Sequence, residues 1–201
     1  MKIHTMEQLT PEWFAVRIGK LTATKFPTMA NGKPDTIETL CLKLAAERIT
    51  GQSCGDDYTN DAMTNGTDVE PLAREAYETT RFVHVNQVGF LELDEFVGVS
   101  PDGLIDEEGG VEIKCPMAHT HLKYLTAGGE AWTAYRWQVQ GALWVSGRTW
   151  WDFVSFNPAF PPDKQLLIER VLPDEGALAK LTAGADKCRK RIVEIVKAFN
   201  G

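Results

Sequence analysis

The chain has 201 residues, 43% apolar and 24% charged, and 21 Lys+Arg against 28 Asp+Glu give a formal net charge of -7. This composition excludes a disordered chain, the length suits one domain with a sizeable core, and no stretch reaches the roughly 20 apolar residues of a membrane span. Met1 to Glu7 lacks the apolar run of a secretion signal and the four cysteines form no CxxC pair, so a cytoplasmic chain with reduced thiols is expected.

In chain order, Asp35 is placed to cap a helix through about Ile49, with Ile37, Leu40, Cys41, Leu44 and Ala45 on one stripe. Gly51 stops it, and a polar loop follows through Asn60. Val69, Leu72, Ala73, Ala76 and Tyr77 predict a second helix over 67–79. Phe82–Val85, Val88–Leu91 and Phe96–Val99 read as short strands. Ser100-Pro101-Asp102-Gly103 is a turn sequence. Leu104-Ile105 and Val111–Lys114 are short strands around a loop, Asp106–Gly110. A third helix spans Glu130 to Val145, two strands cover Thr149–Phe156 and Gln165–Leu172, and a closing helix carries Leu178, Leu181, Ala185, Cys188, Ile192, Ile195 and Phe199. The expected fold class is α/β, with a central mixed sheet flanked by helices and the whole chain, 1–201, as one unit. Trp144, Trp150 and Trp151 lie in apolar runs and are expected to pack in the core rather than stack on bases.

Charge is unevenly spread. Residues 51–112 hold fifteen acidic and two basic side chains, whereas 1–50 hold seven basic and five acidic and 113–201 hold twelve basic and eight acidic. A solvated acidic face is one reading, and Asp56, Asp57, Asp61, Glu107 and Glu108 suit it. Convergence of a few carboxylates on divalent cations is the other. Glu112 and Lys114, two apart on one strand, project from the same face, with Val111 and Ile113 turned into a core on the other. A hairpin-like turn can bring Asp102 beside Glu112. Two carboxylates and one ammonium at one point suit phosphodiester hydrolysis with magnesium, since hard cations prefer oxygen ligands and a bound metal lowers the pKa of its water. An ordinary turn followed by an exposed Glu–Lys pair has the same spacing.

Pro101-Asp102 followed by Glu112-Ile113-Lys114 resembles the PD-(D/E)XK nuclease motif, and the flanking residues resemble the lambda exonuclease / YqaJ-type phage alkaline exonucleases. Trp13–Gly19 with Leu21–Thr24 is similar to that family's W-x3-R-x-G-x-[IL]-T-A-S signature, Asn65–Ala73 to its G-x3-E segment, and Tyr135–Gln140 completes the series, over about residues 10 to 155. The resemblance implies a restriction-endonuclease-like core. It implies Asp102, Glu112, the Ile113 carbonyl and Glu70 as ligands of two magnesium ions, with manganese a workable substitute. Lys114 becomes the catalytic lysine, Gln138 the holder of the attacking water and Tyr135 its supporting neighbour. Arg17 and Thr24 match positions that hold a 5′-phosphate, with Thr24 where serine is usual; a guanidinium fork and a hydroxyl suit that anion.

The implied activity is 5′-to-3′ degradation of one strand of linear double-stranded DNA to 5′-mononucleotides and a 3′ overhang. The implied assembly is a ring-shaped homotrimer working with a phage single-strand annealing protein. A PD-(D/E)XK endonuclease and a non-catalytic DNA-binding protein are the rivals. An iron–sulfur nuclease needs clustered cysteines near its end, and Cys188 stands alone there.

Overall fold

The computed structural model describes residues 1–54 and 61–201, with the backbone alone given for 61–68. Asp56 and Asp57, and the polar loop beyond Cys54, fall outside the described residues, as do the side chains of Asp61 and of 65–68.

Strand β1 (Lys2–His4) leads to helix α1 (Pro11–Arg17), short helix α2 (Phe26–Asn31), α3 (Pro34–Thr50) and α4 (Asp61–Arg81). Six strands and α5 to α7 follow: β2 (Phe90–Glu92), β3 (Gly98–Val99), β4 (Gly103–Ile105), β5 (Gly109–Lys114), α5 (Ala118–Leu125), α6 (Arg136–Ser146), β6 (Trp150–Phe156), β7 (Leu166–Val171) and α7 (Glu175–Asn200). Local chemistry explains several ends. Thr10 caps α1 by accepting the Trp13 N–H, Gly51 closes α3 at φ 68°, and the Asp174 carboxylate accepts the Ala177 N–H to start α7.

Strands β1-β2-β3 form one antiparallel sheet, and β4-β5-β6-β7 form a second in which β5 and β6 run parallel. The mixed sheet is therefore present, flanked by helices. Val111, Ile113 and Val154 turn to one face and pack with Ala73 and Tyr77 of α4. Trp151, Phe153 and Val171 turn to the other, into a larger core shared with α2, α3, α6 and α7. Trp151 is fully buried, Trp144 packs edge-on to Phe26, and Trp150 lies under the Arg170 guanidinium at 3.6 Å, so all three tryptophans serve packing.

Several expectations change: α3 starts at Pro34 after Lys33, so Asp35 lies in its first turn rather than capping it, and the helix expected from Glu130 begins only at Arg136. Phe82–Val85 is not a strand: α4 runs on to Arg81, Phe82 takes the left-handed conformation at φ 56°, and only Asn86 bridges to Leu104. Helix α4 also begins at Asp61, six residues early, which puts Pro71 inside it. Finally, Gly109 and Gly110 belong to β5 rather than to a loop. Cβ atoms there would meet the Trp150 and Trp151 rings at 2.0 and 2.3 Å, so only glycine lets those rings lie against the strand.

Candidate active site

The register Gly103↔Val111 puts Asp102, one residue before β4, across from Glu112. Asp102 Oδ2 accepts the Ile113 N–H at 2.6 Å. In an extended strand the N–H and C=O of one residue point to the same neighbour, so the Ile113 carbonyl is also turned toward the Asp102 side. Lys114 Nζ pairs with Glu112 Oε1 at 2.6 Å and lies 5.2 Å from the centre of the Tyr135 ring. Tyr135 stacks on Phe153, the β6 neighbour of Glu112, at 5.5 Å.

The electrostatics follow from that crowding. Burial, then the Glu112 charge, pushes the Asp102 carboxyl up to about 8; Lys114 and the Ile113 N–H act against this, and Glu70 with it. Burial alone would lower the Lys114 ammonium, but Glu112 and Asp102 hold it above its ordinary range. Burial and the same acids, Glu70 and Asp102, push the Cys115 thiol up to about 12. Carboxylates that repel one another in a half-dry corner gain most from a cation placed among them.

Glu70 reaches this corner from α4, where Arg74 Nη2 donates to its Oε1 at 2.5 Å. Glu70, Arg74 and Asp102 line one cleft of about 620 Å³ with residues of the N-terminal segment 5–9. Among the described residues no three His, Cys, Asp or Glu side chains stand close enough to enclose a cation alone. Magnesium does not require it, because one or two carboxylates with water and phosphate oxygens suffice. The donors present, the Asp102 and Glu112 carboxylates and the Ile113 carbonyl, are hard oxygens of that kind.

The remaining sequence candidates divide. Tyr135 joins the cluster, though it sits in the 3-10 turn Ala131–Tyr135 that precedes α6 rather than on the helix. Gln138, in the first turn of α6, is half-buried and makes no side-chain hydrogen bond to a described residue. Gln140 is spent on structure, binding the Leu172 carbonyl and the Asp174 N–H. Arg17 is pinned beside the site: Nη1 donates to Ser100 Oγ at 2.7 Å and the guanidinium lies 3.9 Å over Trp13. Thr24 is exposed and lines a different cleft from Arg17, with Lys25 bordering both. Two residues without an assigned role emerge. Ser100 links Arg17 and Trp13 to the Asp102 turn, and Arg74 braces Glu70. The i,i+4 spacing of Glu70 and Arg74 is a signal readable in the sequence, whereas the Ser100 contacts depend on the tertiary fold.

A helix-flanked mixed sheet with an acid turn and a Glu-x-Lys strand meeting at its edge defines a PD-(D/E)XK nuclease-type fold. The chain belongs to the YqaJ-like viral recombinase domain family, which it matches over residues 12–149. It is 30% identical to the alkaline exonuclease LHK-Exo from Laribacter hongkongensis, with a TM-score of 0.83 over 95% of this chain and 96% of that one. A complex of LHK-Exo with dAMP matches equally well, with a TM-score of 0.83 over 94% of this chain and 96% of that one. A phage related exonuclease from Haemophilus somnus 129PT shares the fold at 15% identity, with a TM-score of 0.70 over 90% of this chain and 96% of that one. No curated protein sequence matches the chain. Among the described residues no helix is long and apolar enough to cross a membrane.

Proposed function

We propose that the chain, acting as one nuclease unit, is a magnesium-dependent exonuclease that degrades the 5′-ended strand of linear duplex DNA to 5′-mononucleotides. The observation that carries this reading is the meeting of Asp102, Glu112 and Lys114 at one sheet edge. The dAMP bound to LHK-Exo is a deoxynucleoside monophosphate, the kind of product the reading requires.

Asp102, Glu112 and the Ile113 carbonyl hold the metal, with Glu70 reaching in from α4. When bound, magnesium activates water and offsets charge on the phosphate. Lys114 neutralises a phosphate oxygen or orients the water, and Gln138, its amide unspent, helps to hold that water. The water oxygen bonds to phosphorus as the P–O3′ bond breaks, and the 3′-oxygen leaves with a proton. The shortened strand keeps the phosphate as a new 5′-phosphate. A pocket built around Arg17 and bordered by Lys25 can therefore engage the same group in every cycle, while Thr24 stands in the neighbouring cleft on the other side of Lys25.

By family likeness the working form is a ring-shaped homotrimer, in the cytoplasm of a host cell carrying a phage or prophage. A single-strand annealing protein loads on the exposed 3′ strand. The test is time-resolved digestion of linear duplex labelled at either end, with and without 5′-phosphate and magnesium. Loss of label from the 5′ end only, faster with a 5′-phosphate and absent in EDTA, is the expected result. Rapid nicking of a closed circular plasmid would overturn the reading in favour of an endonuclease.

A further inference from the structure

Gln8 has no part in the chemistry described so far. Its Nε2 donates to the carbonyls of Val88 at 3.1 Å and Pro101 at 2.9 Å. Both partners only accept, so the amide nitrogen must face them and both its hydrogens are used. Pro101 immediately precedes Asp102. The turn is thus gripped on both sides: Gln8 holds the carbonyl before Asp102, and the Ile113 N–H holds the Asp102 carboxylate at 2.6 Å. Gln8 also lines the cleft that contains Asp102 and Glu70.

We propose that Gln8 is a positioning residue for Asp102, clamping the Pro101 carbonyl so that the carboxylate oxygen not bonded to Ile113 faces the cation. The inference rests on the nuclease reading for its chemistry but not for its test. Metal ligands depend on such outer partners, because a carboxylate free to rotate spends binding energy on being ordered.

A matched control lies elsewhere in the chain. Gln165 Nε2 clamps two carbonyls in the same way, those of Pro158 at 3.0 Å and Phe160 at 2.9 Å, beside β7. The experiment compares Gln8→Met and Gln165→Met for manganese(II) affinity, read by the electron paramagnetic resonance of the free ion, and for kcat and KM on linear duplex. Gln8→Met should weaken manganese binding and lower kcat by about tenfold each, the scale set by outer-partner substitutions at metal sites. DNA KM should stay within about threefold, since ground-state contacts to DNA are untouched. Gln165→Met should change neither, even where its thermal midpoint falls as far. Gln8→Leu loses the donors without adding a charge to the cleft, so it must behave like Gln8→Met, and it carries the test where the methionine variant misfolds.

Wild-type manganese affinity and kcat in both Gln8 variants, or equal losses in Gln165→Met, would overturn the proposal. A wild-type chain that binds manganese without digesting DNA sinks the nuclease reading while leaving the Gln8 comparison intact. A wild-type chain that binds no manganese overturns both.

Discussion

The Lys114–Glu112 pair makes opposite demands on its two acidic neighbours. Glu112 is buried and has Lys114 at 2.6 Å, whereas burial, then the Glu112 charge, raises Asp102 to about 8 against the pull of Lys114. Removing either group should abolish magnesium-dependent digestion, yet the folding effects should differ. Lys114→Ala leaves Glu112 buried and unpaired and should cost about 1–3 kcal/mol. Asp102→Ala removes a crowded acid and should leave the melting temperature in EDTA unchanged or higher. Normal digestion by both variants would point to another site. Acid sensitivity has a separate source. The Lys20 ammonium at 2.9 Å, then His4 at 2.8 Å, holds the Glu92 carboxyl below its ordinary 4.5, against the opposing effect of burial. A depressed folded-state pKa gives stability that is present above 4.5 and lost as pH falls through the folded value. Glu92→Gln should therefore be less stable than wild type at pH 7, with the gap closing progressively below pH 4.5 in a denaturant series.

The end of α4 shows what an element costs when its cap is the wrong residue. Phe82 follows Arg81 in the left-handed conformation, φ 56°, with 93% of its surface exposed, and Val83 N–H reaches back to the Glu78 carbonyl at 3.3 Å. This is the geometry in which helices usually place glycine. A side chain there costs about 1–2 kcal/mol, against about 0.5–1 for glycine's greater freedom when unfolded. Phe82→Gly should be stabilising by about 0.5–1 kcal/mol, a rise of about 2 °C in Tm, while Phe82→Ala, which keeps its Cβ, should gain nothing. The same residue shows why the sequence misleads here: Phe82-Val83-His84-Val85 has strand composition, and nothing in it reports φ. Short α1, α2 and α5 of seven, six and eight residues, and three-residue β1, are shorter than the window over which periodicity speaks. Gly109-Gly110 looks like a loop until the tryptophan rings of β6 are in place. The heart of the site was legible for the converse reason. Glu112 and Lys114 lie on β5 and Asp102 just before the adjoining β4, so two-residue alternation and one turn suffice to gather them. Glu70 and Tyr135 arrive from α4 and from the turn before α6, and only their resemblance to a motif series could nominate them.

Across the whole molecule the acid-rich middle is met by the basic flanks. Lys20 pairs with Glu92 and Arg48 with Glu95 from the N-terminal side, and Arg189 of α7 pairs with Asp94. Arg191 is likewise tied to Glu38, so these two arginines on the basic face of α7 are engaged within the fold. Three others of the central third, Glu70, Asp102 and Glu112, act on one another at the site, where by the proposed function a DNA phosphate comes. A net charge of -7 and three carboxylates at that point oppose the duplex until a cation intervenes. Metal-free protein should therefore bind DNA weakly, and cancelling one site charge should strengthen that binding even as it destroys catalysis. One unit charge near a phosphate is worth about 1 kcal/mol in water, or about fivefold in Kd. In EDTA at pH 9, where the Asp102 carboxyl raised to about 8 is mostly ionised, fluorescence anisotropy with a phosphorothioate-ended duplex should show Asp102→Asn binding about fivefold more tightly than wild type. Magnesium should reverse the order, because wild type then gains a bound cation that the variant holds poorly. Equal affinities in EDTA would mean that Asp102 does not face the phosphate, and that the acids of the central third are balanced by the rest of the fold.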